Sequence, residues 1–153
     1  MTRWQDRFML IPAVFVIVRN QKGEVLLLKR QNTGYMDGWY SMPAGHVDGG
    51  EPAIVAACRE AKEEVGLDLK PEDLRLVHTV HELADGHERL NLAFEVLQYE
   101  GEPQNTEPHK CAELHWVALD ALPEHTVPSL RAILQHIAAG EPYSSYNFEL
   151  EKS

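Results

Sequence analysis

At 153 residues, 44% hydrophobic and 25% charged, the chain is long enough for one domain, spanning 1–153, with a single substantial core. Its formal charge of −10 argues against a nucleic-acid polymer or an anionic membrane as partner, since both are polyanions. A small phosphorylated substrate stays open if metal ions neutralise its site locally, and two cysteines without a CxxC pair or a disulfide framework suit a reducing cytosol.

The first apolar run, Phe8 to Val18 after Arg3 and Arg7, imitates a signal peptide. It is too short for a membrane span, carries Pro12, and passes into Arg19-Asn20 without a small-residue cleavage site. It therefore reads as a buried strand, and with no targeting segment visible the expected location is cytoplasmic. Ala13 to Arg19 is β-branched and aromatic, hence strand; Asn20 to Gly23 is a turn, and Glu24 to Arg30 the returning strand. Gln31 to Gly38 is an exposed loop, and Trp39 to Met42 a short extended segment ending at Pro43.

The stretch Gly45 to Leu67 reads as a loop feeding a helix that stops at Gly66, a left-handed cap position. At 100° per residue, Ile54, Ala57, Cys58, Ala61 and Val65 form one apolar stripe, while Glu60, Glu63 and Glu64 gather on a separate arc about 100° wide. Like charges at this spacing repel by a few tenths of a kcal/mol per pair, so they are either solvated or given a cation. Carboxylates are hard ligands, which points to Mg²⁺ or Mn²⁺ rather than zinc.

Beyond this helix, Pro71 to Asp73 is a turn, Leu74 to Glu82 a strand, Ala84-Asp-Gly86 a hairpin signal, and Leu90 to Tyr99 the next strand. Gly101 to Lys110 is polar and turn-rich. Leu114 to Val117 is a last strand, Ala118 to Leu122 a helical turn, and Val127 to Ala139 a helix with apolar residues at helical spacing. Glu141 to Ser153 has aromatics but no period, and either frays or docks on the body. The irregular alternation of strands and helices, with hairpins among them, implies a mixed sheet covered by helices on both faces.

Gly45, Glu51, Arg59-Glu60, Glu63-Glu64 and Gly66, with apolar residues at 61 and 67, fill every fixed position of the Nudix box, GX5EX7REUXEEXGU, where U is apolar. The chain thus resembles a Nudix hydrolase of the MutT type, and the strands before the box and the hairpin and final helix after it suit that α/β/α fold. The resemblance implies metal-dependent hydrolysis of a nucleoside diphosphate linked to another group. Glu60, Glu63 and Glu64 would ligate Mg²⁺ or Mn²⁺ with the carbonyl of Ala44, a position where the family usually has Gly. Glu51 and Arg59 would orient the glutamates by ion pair and hydrogen bond. Glu60, Glu63 and, outside the box, Glu107 are candidates for the proton acceptor. The stretch Pro103 to Trp116 around Glu107 resembles the equivalent loop and strand of MutT-like nucleoside triphosphatases. This tilts the expected reaction toward cleavage of a nucleoside triphosphate to monophosphate and pyrophosphate. ADP-ribose, a nucleotide sugar and a dinucleoside polyphosphate are the alternative substrates. Many relatives are dimers, so a homodimer is open.

Other residue types add little. A solvated face is the plain reading of three helical glutamates, and only the complete box reverses it. The eight histidines show no ligand spacing, and Ser41 and Ser129 lack the neighbours of a nucleophile elbow. Trp39 and Tyr35, on the loop before the box, are the candidates for stacking a nucleobase. A non-catalytic Nudix module that only senses a nucleotide would be expected to lose box glutamates, and this chain keeps them all.

Overall fold

The N-terminal β-branched run becomes β1 (Ile11–Ile17) in the computed structural model, which describes residues 3–149. It is followed by β2 (Val25–Arg30), β3 (Tyr40–Ser41), β4 (Ala44–His46) and helix α1 (Ala53–Val65). Then come β5 (Leu74–Ala84), β6 (His87–Val96), β7 (Cys111–Val117), helix α2 (Pro128–Ala138) and β8 (Tyr143–Tyr146). The main sheet has the order β4-β1-β6-β5-β8, with β1 parallel to β6 and β5 parallel to β8; β3-β2-β7 form a second, antiparallel sheet.

From Ala13 onward β1 is apolar because both of its faces are covered, as expected of a strand inside a layered fold, while Ile11 and Pro12 remain exposed. Val14 and Val16 pack with Phe94, Val96 and the small residues Ala56, Ala57 and Ala61 of α1. Ile17, on the opposite face, packs with Val80, Ala93 and Leu130, Ile133 and Leu134 of α2. The result is the mixed, helix-covered sheet that the sequence implies. Each fully buried Leu, Ile or Val contributes about 1.5–3 kcal/mol relative to exposure. Among the described residues no helix is long and apolar enough to cross a membrane.

Two local expectations shift. The buried stripe of α1 is Ala56, Ala57, Glu60, Ala61 and Val65, rotated from the expected Ile54 and Cys58 toward Glu60. The rotation has a physical cause: the Glu60 side of the helix is pressed under β4, as the site geometry below shows. The tail, for which the sequence showed no period, supplies the edge strand β8, and its last residues, 150–153, lie outside the described ones. β8 is pinned by the buried His78, whose Nδ1 lies 2.7 Å from the Glu141 carbonyl and whose Nε2 lies 2.8 Å from Ser144 Oγ.

Candidate active site

β4 and α1 meet where a glycine is required. A Cβ on Gly45 would lie 2.0 Å from Glu60 Oε1 and 2.1 Å from its Cδ, so only a residue without a side chain lets the carboxylate lie against the strand. One residue earlier, the Ala44 N–H donates to Glu64 Oε2 at 2.9 Å. Ala44 is not among the residues with positive φ, so its Cβ is tolerated where the family usually has Gly.

Arg59 is the hub of the carboxylates. Its guanidinium bonds Glu51 at 2.7 Å, Glu60 at 2.9 Å and Glu63 at 3.4 Å, lies 3.3 Å from Asp48, and donates to the His46 carbonyl at 3.0 Å. Glu51 also accepts the Asp48 N–H at 2.9 Å, which closes the loop before the helix. The Arg59 hydrogen bond and the Asp48 N–H hold the Glu51 carboxyl below its usual range, and Glu51 in turn raises the pKa of Arg59. Asp48 and the His46 carbonyl belong to this network although the box pattern does not mark them.

The loop carrying Glu107 is brought in by the helix end. An α-helix leaves its last carbonyls without intrahelical partners. Here the Gln104 N–H donates to the Val65 carbonyl at 2.9 Å, the Thr106 N–H to that of Glu64 at 3.4 Å, and Thr106 Oγ1 to that of Glu63 at 2.6 Å. Asn105 ties the other side, donating to the Cys111 carbonyl at 2.7 Å and accepting the Glu107 N–H at 3.2 Å. Glu107 thereby lines one cleft of about 370 Å³ with Glu64, Ala44, Arg30 and Lys110.

Electrostatically the cluster is short of positive charge. Burial, aided by Glu60, Glu107 and Glu63, pushes the Glu64 carboxyl up to about 8 against the pull of the Ala44 N–H. Burial raises Glu60 too; Arg59 offsets part of this, and Glu63 and Glu107 add to it. As the side chains stand, no three His, Cys, Asp or Glu residues converge to hold an ion among the described residues, because Arg59 engages Glu60 and Glu63 while Ala44 engages Glu64. The donors nevertheless fit a hard divalent cation: all are oxygens, they share one edge, and their mutual repulsion is what such an ion relieves.

A second cavity of about 280 Å³ adjoins the first, sharing Arg30, Ser41, Met42 and Ala44, and runs between β1, β6 and the start of α2. Tyr35 lines it, with the Arg30 guanidinium 5.2 Å from its ring centre. Trp39 lines neither cavity; it packs edge-on against His125 at 4.9 Å and on the core under α2. Arg30, Lys110, Glu82, Arg89 and Asn91 also line these spaces, and no sequence pattern points to them. Two larger depressions, about 760 and 810 Å³, lie around Gln98 to Gly101 and contain none of the expected metal-binding or catalytic side chains. The chemistry of the lining, rather than volume, marks the site.

The sequence profile of the NUDIX domain matches residues 9–137. A human 8-oxo-dGDP phosphatase is 38% identical over 61 residues, covering 40% of this chain and 19% of its own length. The NAD-capped RNA hydrolase of Stutzerimonas stutzeri is 29% identical over 128 residues, covering 84% of this chain and 43% of its own. The chain thus spans less than half the length of these curated relatives. The crystal structure of a MutT NUDIX hydrolase from Burkholderia pseudomallei superposes with a TM-score of 0.73 at 29% identity, covering 83% of this chain and 97% of that one.

Proposed function

The chain belongs to the NUDIX domain family, and on that premise we propose that it is a divalent-metal-dependent pyrophosphohydrolase that cleaves a nucleoside triphosphate to monophosphate and pyrophosphate. The observation that carries the proposal is the convergence of Glu107, from a separate loop, on the cleft that holds Glu64 and Ala44. Glu60, Glu63 and Glu64, with the Ala44 carbonyl, would hold Mg²⁺ or Mn²⁺, which would supply neutralisation of the phosphates and a lowered pKa for the attacking water.

The protein's own groups do the rest. Arg59 and Glu51 hold the glutamates in register. Arg30 and Lys110, which line the same cleft, bind phosphate oxygens. Glu107 is the proton acceptor: it lies in the cleft but outside the ligand set, so it is free to take the proton from the attacking water. Tyr35 and the cavity beside it receive the nucleoside.

The lining of that cavity favours a mononucleotide, since Phe15 and Tyr35 offer aromatic surface for one base. The net charge of −10 opposes a long polyanion, although relatives by name act on capped RNA. The test is incubation of the pure protein with Mg²⁺ and a panel of nucleoside diphosphate derivatives. Mononucleoside triphosphates are expected to turn over fastest; no turnover of any compound overturns the proposal. In that event, nucleotide binding that persists in Glu63→Gln identifies a sensing module.

A further inference from the structure

Two polar atoms in the smaller cavity's lining are buried without a partner. Asn91 is 2% exposed, and neither its Oδ1 nor the Nε of Arg89 has a hydrogen-bond partner among the described residues. Such atoms are costly to bury, and two on one cavity wall point to a ligand that completes them. They are two residues apart on β6, hence on one face of the sheet.

Their orientation is fixed by neighbours. Asn91 Nδ2 donates to Glu82 Oε2 at 3.1 Å, so the amide cannot turn its oxygen toward the carboxylate without repulsion, and Oδ1 is left as the free acceptor. Arg89 stands directly across from Glu82 in the β5–β6 register, and its Nη2 is held by His46 Nε2. The lining residues thus carry an unpaired amide oxygen and an unpaired N–H beside a carboxylate. Phe15 and Tyr35 supply aromatic surface for the flat face of a ring.

We propose that Arg89 and Asn91, with Glu82 as the residue that orients the amide, form the base-reading end of the site and select bases carrying an exocyclic amino group. The inference rests on the nucleotide reading above and deepens it. An amino group has two N–H donors on one nitrogen, one for Asn91 Oδ1 and one directed at Glu82. An adjoining ring nitrogen or carbonyl of the base accepts from Arg89. A base with oxo groups and one ring N–H, such as uracil, thymine or hypoxanthine, turns a carbonyl toward the carboxylate and leaves one contact unmade.

The test measures binding of nucleoside monophosphates by calorimetry with divalent metal removed, so that no bond is broken. Three pairs isolate the amino group: AMP with IMP, GMP with IMP, and CMP with UMP. In the pair that binds most tightly, the amino-bearing member is expected to be favoured about tenfold or more. Asn91→Leu, verified as folded by circular dichroism, brings that ratio to within about threefold. The milder Glu82→Gln, at a partly exposed position, reduces it by an intermediate amount because the amide loses its fixed orientation. Equal affinities within that pair, a preference that survives Asn91→Leu, or absence of binding overturns the inference. Hydrolysis without base preference removes this inference alone. Base preference without hydrolysis keeps it and removes the hydrolase reading.

Discussion

The two cavities that meet at Arg30, Ser41, Met42 and Ala44 are built in opposite ways. The carboxylates of the first come mainly from one continuous stretch, the helix after β4, with Glu107 added by a separate loop. That cleft carries excess negative charge that Arg59 offsets only in part. The neighbouring cavity is assembled from β1, β5, β6, the 31–38 loop and α2, and its tension is hydrogen-bonding need rather than charge. The reaction is therefore encoded locally and its selectivity non-locally, so substitutions in the first region change rate and those in the second change preference.

The largest expected effect comes from Glu64→Gln. Losing a ligand at the centre of the cluster is expected to lower kcat by about 10³-fold or more with base preference unchanged, read from steady-state kinetics on matched triphosphates. A loss of selectivity along with rate would show that the two regions are not separable. Next is Gly45→Ala, whose methyl meets the Glu60 carboxylate. The glutamate must move, at a cost of about 1–3 kcal/mol in stability by thermal or denaturant unfolding, and activity is expected to fall at least tenfold. Thr106→Val is milder: it removes the 2.6 Å bond to the Glu63 carbonyl and loosens the loop that presents Glu107. About 0.5–1.5 kcal/mol of stability and a several-fold drop in kcat are expected, with KM little changed.

These residues also show what a sequence discloses and why it stops. The box was readable because its spacing reflects one turn-and-helix unit, and the placement of Glu60 against Gly45 gives that spacing a steric reason. Glu107 was readable by likeness but not by geometry, since the helix-end carbonyls that fasten its loop appear only once the chain has folded. Asn91 and Arg89 stand in no sequence pattern; the role proposed for them depends on β6 lying beside β1 and on the cavity that also reaches the start of α2. Trp39, suggested by its position before the box, is taken up by packing on His125 instead of lining a cavity. β8 escaped because its partner, β5, is far away in sequence and its own four residues have no alternation of polarity to read.

The smallest expected effect is in stability against pH. The Glu64 carboxyl, raised to about 8 from the ordinary 4.5, binds a proton in the folded state through a window where the unfolded chain does not. Its contribution is fully present below about 4.5 and is lost as pH rises toward 8; Glu60, also raised, acts in the same direction. Glu51, lowered by Arg59, gives stability that is lost only on acidification below this window. Metal-free protein is therefore expected to lose a few kcal/mol at most between pH 5 and pH 8, visible as a falling Tm. Mg²⁺ is expected to reverse the trend by binding the ionised carboxylates, and Glu64→Gln to flatten it. A Tm that rises across this range without metal would contradict the charge deficit assigned to the cleft.

The central claim is the proposed one, that the carboxylate cleft, once it holds a divalent cation, cleaves a nucleoside triphosphate to monophosphate and pyrophosphate. Product analysis after incubating a nucleoside triphosphate with the protein and Mg²⁺ in ¹⁸O-water tests it most directly. The account predicts nucleoside monophosphate and pyrophosphate, ¹⁸O in one of the two products, and loss of turnover both in EDTA and in Glu64→Gln. Release of orthophosphate as the first product, or turnover that persists in EDTA, would contradict it.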